Sequence, residues 1–157
     1  MLDDIVLDTN VLAHSQNPNE QRYDHCCALL DRILNCSTKI AVDEGFSLDH
    51  AHNRSYIGSE YLDNLRFGSL PFSVISQLAA SKRVSFLAKR APEREQRIIN
   101  QSVRNVIDRA FLGVACNSQE KILVSHDFVD FQAQKRLFLR REIGVDIIEA
   151  HESLDLL

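Results

Sequence analysis

Apolar residues fall into short blocks along this chain, and the spacing within the blocks alternates between two periods. Residues 4–10 contain Ile5-Val6-Leu7, a continuous apolar run that predicts a buried strand. Asn17-Pro18-Asn19 is turn chemistry. Residues 21–35 place Cys26/Cys27, Leu29/Leu30 and Ile33/Leu34 at helical spacing on an inner face. Lys39-Ile40-Ala41-Val42-Asp43 reads as a second strand, and the polar residues 45–54 as a loop. A helix from about Ser55 carries Tyr56, Ile57, Glu60, Tyr61 and Leu65, and Gly68 ends it. Pro71 opens another helix, running to about Ala80. Val84-Ser85-Phe86-Leu87 is a third strand. Pro92 with Glu93 and Glu95 suits a helix start, with a break near Asn100 to Ser102. Residues 103–116 form a helix whose apolar side holds Val103, Val106, Ile107, Ala110, Val114 and Ala115. A strand over 121–125, a helix near 132–141 and a last strand, Val145-Asp146-Ile147-Ile148, complete the chain. Strands alternating with helices predict a three-layer α/β fold, with a central, mainly parallel sheet of about five strands flanked by helices.

A length of 157 residues fits a single domain, 1–157, and a hydrophobic fraction of 45% fills a core without metal or disulfide support. No long uncharged apolar run is present to span a membrane. The start, Met1-Leu2-Asp3-Asp4, is acidic where a signal peptide needs basic residues and an apolar middle, so a cytoplasmic protein is expected. None of the four cysteines has a partner at zinc-site spacing. They are expected to be reduced, with Cys27 and Cys116 in the core.

The net charge of −4 argues against a nucleic-acid binder, but its distribution changes the picture. Residues 1–63 hold eleven acids against four Lys/Arg, whereas residues 82–109 hold eight Lys/Arg against three acids. Lys135, Arg136, Arg140 and Arg141 form a second basic cluster. Such stretches can track a phosphate backbone, or can be ordinary solvated helix faces.

Four acids stand at informative places. Asp8 closes the first apolar run, and Asp127 closes Lys121-Ile122-Leu123-Val124-Ser125-His126. Asp108 opens an amphipathic stretch, and Glu60 sits on a second. In a parallel α/β fold, strand ends and the helices after them converge on one rim. Acids meeting there repel one another unless cations bind between them, and oxygen-rich clusters suit Mg²⁺ or Mn²⁺. Each acid also has a plainer reading. Asp8 and Asp127 can be caps or turn formers, Asp108 can pair with Arg104 one turn earlier, and Glu60 can be a solvated glutamate. Thr9 and Asn10 can hydrogen-bond to Asp8 and orient it. Glu44, just past the second strand, competes with Glu60, and Asp130 lies three residues beyond Asp127.

Taken together the segments resemble a known family. Val6-Leu7-Asp8-Thr9-Asn10-Val11-Leu12 is similar to the opening of a PIN domain. Asp108 with Phe111-Leu112-Gly113-Val114-Ala115 resembles its third acidic segment, and Ile122 through Phe131 its fourth. Glu60-Tyr61 resembles the second-acid helix of one bacterial branch, where it follows a strand ending in Asp, as Asp43 does here. The resemblance spans about residues 4–150 and is loosest around 45–54. It implies a Mg²⁺- or Mn²⁺-dependent nuclease, most often acting on RNA, with single-stranded DNA as the other substrate to test. Asp8, Glu60, Asp108 and Asp127 would hold one or two metals for in-line attack of water on phosphorus. It also implies partners of two kinds, an antitoxin or other regulatory protein and a second copy of the chain, as in a toxin or defence effector.

Other classes remain to be weighed. A PIN-like domain can bind nucleic acid or protein without cutting. A haloacid-dehalogenase-like phosphatase needs a second Asp two residues after the first, where Asn10 stands. A receiver-type signalling domain needs a Lys at a late strand end, where this chain has Asp127. His14 and His126 are possible additional ligands, and a His50/His52 metal pair lacks a matching third ligand.

Overall fold

The structure, a computed structural model, describes residues 1–157. Five strands form one all-parallel sheet: β1 (Asp4–Leu7), β2 (Lys39–Asp43), β3 (Val84–Leu87), β4 (Ile122–Val124) and β5 (Asp146–Ile148). Around it lie α1 (Thr9–His14), α2 (Tyr23–Asn35), α3 (Tyr56–Asn64), α4 (Leu70–Ala80), α5 (Glu93–Ser102), α6 (Val106–Asn117), α7 (Ala133–Ile143) and α8 (Ala150–Leu154). The three-layer α/β expectation is met. Parallel strands buried on both faces need apolar runs rather than alternation. Ile5, Val6, Leu7, Ile40, Ala41, Val42, Leu123 and Val124 supply them, all without solvent exposure. No helix is long and apolar enough to cross a membrane.

Strand order is β3-β2-β1-β4-β5. Connections run outward in one direction from β1 through β2 to β3, and in the other from β4 to β5. The order therefore reverses between β1 and β4. A crevice opens at the carboxyl ends of the strands at such a switch point, because the helices after the two strands go to opposite faces.

Several element boundaries differ from expectation. The first strand stops at Leu7, and Thr9–His14 is a helix. Asp8 is its N-cap residue in extended backbone, and its side chain makes no capping bond. Val103 is the C-cap of α5, and α6 begins at Val106, capped by the Asn105 side chain, which accepts from Ile107 and Asp108 N–H. The short α8 had no periodic signal; a reciprocal Glu149–Glu152 capping box starts it. Among the cysteines, Cys26 and Cys116 are buried and Cys27 is only partly covered. Cys26 shares a helical face with Leu29, Leu30 and Ile33, which turns Cys27 toward the edge.

Candidate metal centre at the strand switch point

Asp8, Asp108 and Asp127 come from the end of β1, the first turn of α6 and the loop after β4, and the fold brings them to the β1/β4 crevice. Asp8 is 6% exposed. Its Oδ2 accepts from Ser125 Oγ at 2.7 Å and from Asn10 Nδ2 at 3.0 Å. Asn10 Oδ1 accepts in turn from the His126 N–H at 2.9 Å, so one amide ties the Asp8 carboxylate to the β4 loop. The Thr9 hydroxyl, also expected to orient Asp8, is buried without a partner. Burial raises Asp8 to about 6, opposed by the Ser125 hydrogen bond and assisted by the charge of Asp127.

Asp108 is 8% exposed, and its Oδ2 has no hydrogen-bond partner. The plain reading as an ion pair fails: Asp108 forms no salt bridge with Arg104, and Arg109 spends its guanidinium on the Val103 and Asn100 carbonyls. Burial pushes Asp108 up to about 8, followed by the charge of Asp8 and by a carboxyl–carboxylate contact with Asp130. Carboxylate oxygens of Asp108, Asp127 and Asp130 lie within 4.8 Å of one another. For Asp127 the turn reading holds for one oxygen: Oδ1 accepts from the Val129 and Asp130 N–H groups.

Arg136, on α7, holds this loop. Its guanidinium donates to the carbonyls of Ser125, Asp127, Phe131 and Ile147. It places positive charge behind the acids without pairing with any of them. Phe128, in the same loop, packs against the guanidinium groups of Arg22 and Arg136.

Glu60 is not part of this group. It is half-buried on α3, its carboxylate neighbours Asn64, and burial and the charge of Asp63 raise it. Glu44 is exposed beside Ala88, Lys89 and Arg90. Asp43 is buried and caps α3, accepting from Ser55 Oγ and the Tyr56 and Ile57 N–H groups. The neighbour of Glu60 does touch the β1 end, since the fully buried Tyr61 donates its hydroxyl to the Leu7 carbonyl at 2.6 Å. Burial and the charges of Asp8 and Asp43 drive the Tyr61 hydroxyl well above its ordinary range, so it stays a donor.

Compared with protein-family models and with curated proteins, the chain matches none.

His14, Cys26 and His126 form a second convergence of ligand-type atoms. The Ala150 N–H points at His126 Nε2 at 3.1 Å, which makes that nitrogen the acceptor. His126 Nδ1 then carries the proton and donates to His14 Nδ1 at 3.0 Å. A metal on His126 Nδ1 would put a proton on Nε2, against a backbone donor. The cluster therefore serves as a hydrogen-bond chain joining α1 to the β4 loop and α8. His52 pairs with Asp49 on the surface and gathers no third ligand.

Sequence reasoning placed Asp8, Asp108 and Asp127 at the rim and noted Asp130 only in passing. The Asp127-x-x-Asp130 spacing was the available signal for it. Ser125 carried none, because its bond to Asp8 crosses the crevice, and Arg136, which the sequence offered only as part of a basic cluster, spends its guanidinium on backbone carbonyls instead.

Proposed function

We propose that the chain is a metal-dependent nuclease of PIN-like type, hydrolysing phosphodiester bonds in RNA. The observation that carries this reading is Asp108. A buried carboxylate with an unpartnered oxygen, facing two further carboxylates and no cation, costs stability unless something positive shares the space. The donors available are all carboxylate oxygens, the set that Mg²⁺ and Mn²⁺ prefer. Asp8, Asp108 and Asp127, with Asp130 beside them, would hold the ion. Glu60 stands apart, as an acid a substrate-bound arrangement would have to recruit. When bound, the ion supplies Lewis acidity for attack on phosphorus and for departure of the leaving oxygen. The protein's own groups set the geometry. Ser125 and Asn10 aim Asp8, Arg136 fixes the carbonyls around Asp127, and the Tyr61 hydroxyl anchors the backbone just before Asp8.

Asn10 favours this reading over the dehalogenase-like phosphatase. Its amide bridges Asp8 and His126, where that chemistry needs an acid. A toxin or defence role, with an antitoxin or a second copy as partner, belongs to the same proposal.

The test is cleavage of mixed-sequence RNA and single-stranded DNA in Mn²⁺, with Asp8→Asn as control, alongside melting curves. Metal at a hundred times its dissociation constant stabilises a folded site by about 2.7 kcal/mol, which is about 5–10 °C for a chain of this size. Wild type should show both effects and Asp8→Asn neither. A metal shift of equal size in both proteins, with no cleavage by either, would put the ion elsewhere and leave a non-catalytic domain.

A further inference from the structure

A separate recess lies on the outer side of α6, between the start of α3 and the loop following β3. It is open, about 260 Å³, and lined by Tyr56, Lys89, Arg90, Gln96, Asn100 and Arg109 among others. Metabolite-sized ligands occupy pockets of about 300–1,000 Å³, so this one suits a single planar group rather than a whole small molecule. Tyr56 is 37% exposed, and the Lys89 ammonium sits 3.6 Å from its ring centroid. Lys89, Arg90 and Arg109 converge here, and none of them is paired with a carboxylate.

The loop presenting the two outer cations is built rather than loose. Asn117 Nδ2 donates to the carbonyls of Ala88 and Arg90 at 2.8 and 2.9 Å. The Ala91 N–H donates to the buried Gln96 side chain at 2.8 Å. Gly113 lets the loop lie directly on α6, since a Cβ there would fall 1.7 Å from the Lys89 carbonyl oxygen. Backbone this firmly held leaves Lys89 and Arg90 projecting from a fixed base.

The recess shares the carboxyl rim of the sheet with the acids. Lys89 follows β3, Tyr56 is held by Asp43 at the end of β2, and Asp8 follows β1. Two strand spacings separate β3 from β1, about 10 Å, or about three stacked nucleotides at 3.4 Å each. An aromatic face beside unpaired cations complements one nucleotide, which offers a π-face and a flanking phosphate.

We propose that this recess is a nucleotide subsite for single-stranded nucleic acid, extending the nuclease reading above. One base stacks on Tyr56, displacing the Lys89 ammonium, and the phosphates on either side pair with Lys89 and Arg90. The flexible backbone of a single strand can turn a base into the recess, which a stacked duplex cannot.

The experiment measures binding without cleavage. A fluorescein-labelled RNA of about a dozen mixed nucleotides is titrated with full-length protein in EDTA, and anisotropy is read at several salt concentrations. Tyr56→Leu should weaken binding about tenfold, the loss of one stacked base, while Tyr56→Phe binds as wild type. Lys89→Gln and Arg90→Gln should each lower the salt slope by about 0.7, and Tyr56→Leu should leave it unchanged. All four variants should keep the wild-type Mn²⁺ shift in melting temperature, which separates the recess from the acid site. Wild-type affinity in Tyr56→Leu, an equal loss in Tyr56→Phe, or equal affinity of wild type for blunt duplex RNA overturns the subsite. So does preference for an acidic peptide. If wild type cleaves RNA in Mn²⁺ while the variants bind normally, only the subsite falls. If wild type neither binds nor cleaves RNA, the nuclease reading falls with it.

Discussion

Replacing Asp108 by Asn should stabilise the metal-free protein, although it removes a proposed ligand. Burial, the charge of Asp8 and the contact with Asp130 push Asp108 from 3.8 to about 8. At pH 7 the unfolded carboxyl is ionised and the folded one keeps most of its proton. Carrying that proton from 3.8 to pH 7, at about 1.4 kcal/mol per pH unit, sets a ceiling of about 4 kcal/mol on the destabilisation. Water on the open side of the crevice and the sharing of charge among four carboxylates reduce this to about 1–2 kcal/mol. Asn keeps the shape, does not titrate, and offers an amide N–H to the neighbouring carboxylates. For a chain of this length the gain is about 3–6 °C in melting temperature. The sign with pH is set by the raised value. Wild-type stability is intact below 3.8 and falls as pH rises toward 8, so the advantage of Asp108→Asn should grow from pH 4 to pH 8. Calorimetry in EDTA across that range is the assay. Mn²⁺ at pH 7.5 should then raise wild type past the variant. A variant less stable than wild type at pH 8, or an advantage that ignores pH, would refute the argument that Asp108 is held under electrostatic stress.

Three further outcomes are expected. Asp130→Asn should raise the Mn²⁺ concentration for half-maximal cleavage severalfold and Glu60→Gln should not, since a carboxylate oxygen of Asp130 lies within 4.8 Å of those of Asp108 and Asp127 and Glu60 neighbours Asp63; the opposite ranking in a metal titration would restore Glu60 as the second acid. Burial, the His14 contact and the charges of Arg22 and Arg136 lower His126 to about 3, and burial lowers His14. The unfolded imidazoles take up protons near 6.5 while the folded ones resist, so this pair loses stability as pH falls below 6.5. Urea midpoints from pH 7 to pH 4.5 should fall less in His126→Gln than in wild type, and parallel curves would discount the pair. Gly113→Ala should lower stability by about 1–3 kcal/mol through overpacking and weaken RNA binding by displacing Lys89; an unchanged melting temperature would mean the loop moves freely.

Much of the fold was legible because it is local. Ile5-Val6-Leu7, Ile40-Ala41-Val42 and Ile122-Leu123-Val124 are apolar throughout, as only strands buried on both faces need to be. Helical spacing between them implied crossovers and hence a parallel sheet. The same runs end in Asp8, Asp43 and the residues before Asp127, so acids at the rim followed from the pattern. The short helix after Asp8 escaped because six residues cannot show a helical period. Strand order decided the rest. Placing β1 beside β4 lets Ser125 reach Asp8 across 117 residues, and pairing β4 with β5 brings the Ile147 carbonyl to Arg136 beside those of the β4 loop. Glu60 and Asp130 look alike in the sequence, since each is an acid near an aromatic. Only the packing of α3 against the end of β1 turns Tyr61 inward and leaves Glu60 at the edge, because a helix face that buries one residue turns its neighbour about 100° away.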